Sequence, residues 1–298
     1  MMIKVSVIIN GIGRLSSEAQ KTIEKIKESE LLDAHIIRTT KAKEAISIAK
    51  EQSLSYDLVI AVGGDGTAHE VLNGIMQGNQ NVLFGIIPSG TGNDFQRSIG
   101  VFDSEKFLKA VIEKKHLLLD IGACKSQLTT TYFLNIADLG FGAKVVQTMN
   151  SQRLIGVKGK LSYALAILRT FFTYKKSNIK ITTPEFSYEG RVLMVAFCNG
   201  STFGHGLTIH PKAAIDSGEM AITIIGNVSL FTYVKNLRKL KKGIKINHPE
   251  VQYTSSISFK IKTRNEFIRF EADGELYRND YTEVSVLPRA IQLLSPDV

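Results

Sequence analysis

Residues Ile3-Lys4-Val5-Ser6-Val7-Ile8-Ile9 begin as an alternation, close as an apolar run and stop at Asn10-Gly11, which predicts a buried strand. Ser17 and Gln20 form a capping-box pair, and Ala19, Ile23 and Ile26 recur at helical spacing behind them. Residues 34–38 predict a second strand. Ala42, Ala45, Ile46 and Ala49 predict a second helix, and residues 57–62 a third strand ended by the glycines at 63, 64 and 66. Val71, Leu72 and Ile75 mark another helix, residues 82–87 a fourth strand, and Phe107, Leu108, Val111 and Ile112 a further helix. Repeated βα units of this length predict a parallel sheet covered on both faces, with ligands at the carboxyl ends of its strands.

From about Leu117 the pattern changes. Strand-like runs at 132–137, 191–197, 220–225 and 256–262 follow one another, interrupted by two helical segments, 159–174 and 229–242. Residues 282–294 are again strand-like, and the pattern leaves open which domain they join. The predicted architecture is α/β plus β: a parallel-sheet domain over 1–118 and a mostly antiparallel β domain over 119–298, whose last strand is free to return to the first. A length of 298 residues suits two such domains.

Composition narrows the function classes. No apolar stretch approaches the ~18 residues of a membrane span, and the run at 3–9 is too short for a signal-peptide core. Cys124 and Cys198 show no metal-ligand spacing and are expected to be reduced thiols in a cytoplasmic protein. The net charge of +9 favours anionic partners: nucleic acid, phosphorylated small molecules or acidic lipid. Without aromatic interleaving or a recognised module, nucleic acid is the weakest of these.

Two glycine-rich loops carry the chemistry. Gly63-Gly64-Asp65-Gly66-Thr67 lies where a strand gives way to a helix, so its N–H groups and the helix dipole can face an anion. Asp65 offers a carboxylate to Mg²⁺ and Thr67 a hydroxyl to phosphate. Pro88-Ser89-Gly90-Thr91-Gly92-Asn93-Asp94-Phe95 repeats the arrangement at the next strand end, adding an amide, a second carboxylate and Arg97. Neighbouring strands make the two loops neighbours, together able to hold a triphosphate.

These motifs, with Glu70, Asn73 and Gly74, resemble the diacylglycerol kinase catalytic-domain family and, more distantly, the sphingosine kinases. The likeness extends to Thr39, to Tyr163-Ala164-Leu165-Ala166 and to Asp273-Gly274-Glu275, so it spans nearly the whole chain. It implies a nucleotide domain similar to those of 6-phosphofructokinase and NAD kinase, a β-sandwich-like second domain, and an active site in the cleft between them. It also implies transfer of the γ-phosphoryl group of ATP, with Mg²⁺, to a hydroxyl of diacylglycerol or a related lipid. The ATP site it implies comprises Asn10, Gly13, Arg14, Thr39, Gly63, Gly64, Asp65, Gly66, Thr67, Glu70, Ser89, Gly90, Thr91, Asn93 and Arg97. The metal set is Asp65, Asp94 and Asp216. The proton-accepting role falls on Asp273-Gly274-Glu275, with Asp273 favoured and Glu275 the alternative. Without the likeness, that tripeptide reads as a tight hairpin turn.

Two departures stand out. The family opens its first loop with Asn-Pro, whereas Gly11 follows Asn10 here, and Ser217 stands where the family has an acid before Gly218, so Asp216 would have to substitute. The alternatives are an NAD kinase-like small-molecule kinase and a nucleotide sensor without turnover. His69 is expected to be a partly exposed helix residue. His205 and His210 fit no common zinc pattern, and Gly159-Lys160 lacks the Ser or Thr and the first Gly of a Walker motif. Phe231, Val234 and Leu237 are expected on one face of the 229–242 helix, with Lys235, Arg238, Lys239, Lys241 and Lys242 on the rest. Leu161, Leu165, Leu168, Phe171 and Phe172, flanked by Lys158, Lys160, Lys175 and Lys176, form a second basic, apolar segment. Both point to peripheral contact with anionic membrane. Oligomeric state, monomer or homodimer, is left open.

Overall fold

The computed structural model describes residues 2–90, 92–154, 159–204, 206–263, 269–277 and 282–295, and for 152–154 and 159–162 the backbone alone. Thr91 and His205, with the side chains of Lys158, Lys160 and Leu161, lie outside the described residues. The chain divides into two compact units, residues 1–121 with 288–298, and residues 122–287.

The first unit runs β1 (Ile3–Ile9), α1 (Ser17–Glu28), β2 (Leu32–Arg38), α2 (Glu44–Gln52), β3 (Leu58–Gly63), α3 (Asp65–Gln77), β4 (Leu83–Pro88), α4 (Gln96–Ile99), α5 (Ser104–Glu113) and the start of β5 (His116–Lys125). β1 pairs in parallel with β2 and β3, and β3 with β4. Every residue of β3 is buried, as expected of a parallel strand covered on both faces. Val5, Val7, Ile9, Leu58, Ile60 and Val62 form one core with Ala19, Ile23 and Ile26 of α1 and Phe107, Ala110 and Val111 of α5. Alternate residues Ile8, Val59 and Ala61 are equally buried on the opposite face, where α3 lies against β3 and α2 against α3. Burying each such Val, Ile or Leu is worth about 1.5–3 kcal/mol.

The α1 cap differs by one residue from the capping-box expectation. Ser16, extended at φ −65°, takes the N–H of Ala19, and its own N–H goes to Ser89 Oγ at 2.7 Å. The cap shifts because it is also tied to the second glycine loop.

The second unit continues through β6 (Thr130–Phe133), β7 (Ile136–Gly140), α6 (Phe141–Leu154), α7 (Gly159–Thr173), β8 (Ser177–Thr182), β9 (Ser187–Val192), β10 (Met194–Cys198), β11 (Thr202–Phe203), β12 (Leu207–Thr208), β13 (Met220–Ile225), α8 (Leu230–Lys241), β14 (Val251–Ser256), β15 (Ser258–Thr263), β16 (Phe270–Ala272), β17 (Glu275–Tyr277) and the first part of β18 (Glu283–Leu294). The far end of β18 belongs to the first unit, where Gln292 and Leu293 pair in parallel with β4.

Two antiparallel layers enclose the second core. One has the order β14-β13-β10-β7-β16-β17, and the other joins β18 to β15, β8 and β9. Phe197 and Phe259 meet edge to face at 5.6 Å between them, among Leu139, Val195, Ile222, Ile181 and Val284. α6 and α7 cover the outer face of the first layer through Phe141, Val145, Ala166 and Ile167.

The sequence pattern missed α6 altogether: among the described residues the second unit holds three helices where two are expected. It also fused β6 with β7 and β9 with β10, because only one or two residues separate each pair, and the run at 256–262 is β15, with β14 left out.

Candidate active site

In the first unit, strand register sets the candidate site. Ile9 pairs with Arg38 and with Val62, and Val62 pairs with Ile87, so β1, β2, β3 and β4 end at one level. The segments that follow, beginning at Asn10, Thr39, Gly64 and Ser89, therefore leave the same sheet edge, which is where a parallel sheet binds ligands.

The two glycine loops touch through backbone. A Cβ on Gly90 would lie 2.5 Å from Gly64 Cα and 2.9 Å from Asn93 Oδ1, so only glycine permits this approach. Ser89 donates its N–H to Gly63 O at 2.7 Å. Asp65, at the start of α3, reaches across: its carboxylate accepts the N–H groups of Asp94 at 3.2 Å and Phe95 at 3.3 Å. Asn93 takes a left-handed φ of 50° and donates its side-chain N–H to Gly90 O at 3.0 Å. Arg97, half exposed, lies 3.6 Å from Asp94 Oδ1.

The first loop is drawn to the same place. Asn10 donates Nδ2–H to Thr67 Oγ1 at 3.2 Å, and Gly11 donates its N–H to Thr39 Oγ1 at 3.1 Å. Gly13 and Arg14 are exposed at the tip. With Gly11 in place of the family's Pro, the loop turns on Asn10, whose Oδ1 accepts the Ile12 N–H at 3.0 Å.

Glu70 faces away from the glycine loops. Its carboxylate accepts the N–H groups of Lys43 at 3.0 Å and Ala45 at 3.3 Å, capping α2. His69, expected partly exposed, is buried, with Nε2 3.4 Å from Asn73 Nδ2. Among the described residues no three His, Cys, Asp or Glu side chains gather into a metal-binding group. Asp65 and Asp94 supply two neighbouring carboxylates, the number Mg²⁺ ordinarily takes from a protein when phosphates and water complete its shell. Asp216 belongs to the second unit, exposed before β13, beside Ser217, whose hydroxyl bonds Ala214 O and Glu219 O at 3.0 Å each.

In the second unit, Asp273-Gly274 is the two-residue turn of the β16–β17 hairpin, with φ of 51° and 85°. Left-handed backbone at both positions is the hairpin geometry that favours Asp-Gly, so the tripeptide is the tight turn that it reads as locally. The turn is fastened to the β6–β7 junction. Asp273 accepts the N–H groups of Leu134 at 2.8 Å and Asn135 at 2.9 Å, and its own N–H goes to Ile136 O at 2.9 Å. Glu275 follows, half-buried at the start of β17.

Sequence reading passed over a buried pair beneath this turn. Asp138 and Glu271 are register partners on β7 and β16, both buried. Burial lifts the Asp138 carboxyl to about 6 and Glu271 well above its ordinary range, the latter pushed further by its acidic partner. Alternation puts Ala137, Leu139, Phe270 and Ala272 in the sandwich core and Asp138 and Glu271 on the opposite face, where α6 covers Asp138, but only the strand pairing makes the two carboxyls neighbours. Cys124 and Cys198 are buried free thiols, as expected.

Comparison with known proteins agrees with this arrangement. Residues 4–124 match the diacylglycerol kinase catalytic domain, and residues 135–295 match the YegS C-terminal NAD kinase beta sandwich-like domain. Among curated relatives, "Probable lipid kinase YegS-like" of Klebsiella pneumoniae (strain 342) is 28% identical, over 98% of this chain and 96% of that protein. "Probable lipid kinase YegS" of Escherichia coli O127:H6 (strain E2348/69 / EPEC) is 29% identical over the same shares. The crystal structure of a diacylglycerol kinase from Bacillus anthracis str. Sterne superposes with a TM-score of 0.70 over 98% of this chain and 96% of that one; at 20% identity it speaks to the fold alone. The chain belongs to the diacylglycerol kinase catalytic-domain family with a YegS-type second domain, and it is a kinase.

Proposed function

We propose that this kinase transfers the γ-phosphoryl group of ATP to a hydroxyl of diacylglycerol or a closely related lipid. The observation that carries the reading is the direct contact of the two glycine loops at Gly64 and Gly90, bracketed by Asp65. Backbone N–H groups of both loops and the N-terminus of α3 receive the phosphates, while Arg14 and Arg97 neutralise phosphoryl oxygens. Asp65 and Asp94 would hold Mg²⁺, which when bound supplies charge neutralisation on the transferring phosphate. Asp273 accepts the proton of the acceptor hydroxyl. Two backbone N–H groups, of Leu134 and Asn135, orient its carboxylate. Glu275 is the alternative acceptor.

The lipid reaches the enzyme from an anionic membrane surface, to which α8 presents its cations. No helix among the described residues is long and apolar enough to cross a membrane, so the contact would be peripheral.

The test is radiolabelled ATP with the purified chain and mixed micelles of diacylglycerol, monoacylglycerol, sphingosine, ceramide, phosphatidylglycerol or polyprenol. Labelled phosphatidic acid, dependent on Mg²⁺, is expected. Label in another lipid alone would replace diacylglycerol as acceptor, and label in none would overturn the reading.

A further inference from the structure

The carboxyl pair Asp138 and Glu271 has no part in the chemistry above, yet it is built with care. Asp138 is 0% exposed and Glu271 4%. Backbone fixes one oxygen of each: Asp138 Oδ1 accepts the Ala143 N–H at 3.0 Å, and Glu271 Oε2 accepts the Gly274 N–H at 2.6 Å. Gly142 packs directly on the Asp138 carboxyl, where a Cβ would lie 2.0 Å from Oδ2. The remaining Asp138 oxygen, Oδ2, is buried and meets no donor unless the Glu271 carboxyl carries a proton.

Two ionised carboxylates are not stable in such a place, since each opposes ionisation of the other where water is excluded. One proton between them converts the repulsion into an O–H···O⁻ hydrogen bond of the short, strong class and satisfies Oδ2. Among the described residues no ion pair reaches either carboxyl. The groups that face them are acidic or neutral: the Cys198 thiol and Tyr174 hydroxyl toward Asp138, Asp273 and the Cys124 thiol toward Glu271. Lys144 of α6 is held below its ordinary range by burial and by Arg269, which precedes β16.

We propose that Asp138 and Glu271 share one proton and act together as a positioning pair for the Asp273-Gly274-Glu275 turn. The link is the Gly274 N–H. Glu271 holds it, and with it the peptide joining Asp273 to Gly274, so the direction of the Asp273 side chain and the start of β17 both depend on where Glu271 sits. Loss of the shared proton drives the carboxylates apart and loosens the turn. This assignment rests on the reading that the turn carries the proton acceptor, but the shared proton itself does not.

The sign follows from linkage. A carboxyl whose pKa is raised on folding stabilises fully below its unfolded value, and that contribution is lost as pH rises through the folded value. Titration of the pair therefore weakens the fold toward alkaline pH, beginning above the ordinary carboxylate range.

Three arms test the proposal. Infrared spectroscopy of the wild-type chain near neutral pH is expected to show the band of a buried protonated carboxyl, absent in Glu271→Gln; no such band in wild type would overturn the shared proton. Thermal melting against pH is expected to fall toward alkaline pH in wild type and to flatten in Asp138→Asn and in Glu271→Gln. Either amide donates permanently what the proton donates reversibly. The double variant sets two NH₂ groups against each other, because the backbone-held oxygens must remain acceptors, and it is expected to melt lowest. Single and double variants melting alike, or single variants keeping the wild-type pH slope, would overturn the pair. In the kinase assay the single amides are expected to keep kcat within about threefold, while Glu271→Ala lowers it about tenfold or more with KM for ATP unchanged. A raised KM for ATP at full kcat would refute positioning. An inactive wild type would remove the functional reading and leave the infrared and melting arms standing.

Discussion

Asp65 carries two loads on one carboxylate. It lies in the proposed phosphate cradle, and it also receives two backbone N–H groups from the second glycine loop. Replacement by Asn keeps the size but leaves one acceptor oxygen, and turns an NH₂ toward a backbone donor. Hydrogen bonds to a charged group are worth about 1.5–3 kcal/mol each, so Asp65→Asn is expected to lose about 1–2 kcal/mol of stability in denaturant unfolding. Turnover is expected to drop at least ~100-fold through loss of charge at the phosphates. Wild-type turnover would remove Asp65 from the site. His210 shows the opposite linkage to the carboxyl pair. Burial, with Lys245 and Lys212 nearby, pushes its imidazole down to about 4, and its buried Nε2 has no hydrogen-bond partner. A histidine lowered on folding contributes stability that is full above its unfolded pKa and is lost as pH falls toward the folded one. The melting temperature of wild type should therefore decline from about pH 6.5 toward pH 4. In His210→Phe that decline should be shallower, and an unchanged slope would mean that this ring does not govern the acid limb.

The β16–β17 hairpin is an element whose whole geometry bears on chemistry. Asp273→Asn retains one acceptor oxygen for two donors, Leu134 and Asn135, and cannot take a proton. It is expected to lower kcat about 100-fold with little change in KM for ATP, while Glu275→Gln has the smaller effect. The reverse order in steady-state kinetics would transfer the proton-accepting role to Glu275. The hairpin also marks the border of what the sequence makes legible. In the first unit each strand is a compact apolar run followed at once by glycine or an amphipathic helix, so β1 to α5 can be read locally, and so can the two loops that their register brings together. In the second unit the decisive partners are remote. The run at 132–137 breaks at Leu134 because that N–H and the next one turn to an Asp273 carboxylate 139 and 138 positions away, and nothing local signals it. Helix α6 was hidden for another reason. Phe141, Val145 and Met149 recur at helical spacing, but Gly142, Thr148, Asn150 and Ser151 dilute the stripe. The Asp138–Glu271 pair needed the β7–β16 register, which alternation alone does not supply.

At the scale of the whole molecule, a net charge of +9 and a pI near 9.4 favour an anionic surface, and α8 of the second unit is where we propose that it engages. The apolar side of α8 is not the one that the sequence suggested. Tyr233 turns inward, 5.5 Å from the ring of Phe171, and Leu237 and Leu240 are half-buried. Phe231 and Val234 face solvent, 77% and 57% exposed. By i, i+3, i+4, i+7 and i+11 spacing they share that face with Lys235, Arg238 and Lys242. Phe172, at the end of α7, is 78% exposed as well. Apolar side chains set among cations suit shallow insertion beneath lipid phosphates, with each base adding roughly 1 kcal/mol near the surface, screened beyond about 10 Å at ordinary salt. The apolar and ionic contributions are separable. Lys235→Glu with Lys242→Glu should abolish binding to phosphatidylglycerol-containing vesicles at low salt in a sedimentation assay. Phe231→Ser with Phe172→Ser should weaken it about tenfold and leave the dependence on salt unchanged. Both double variants should phosphorylate a short-chain, water-soluble acceptor at the wild-type rate, because no residue of the glycine loops or of the Asp273 hairpin is altered. Equal, salt-independent binding by wild type and the lysine variant would mean that α8 is a solvated face and that the lipid arrives by another surface.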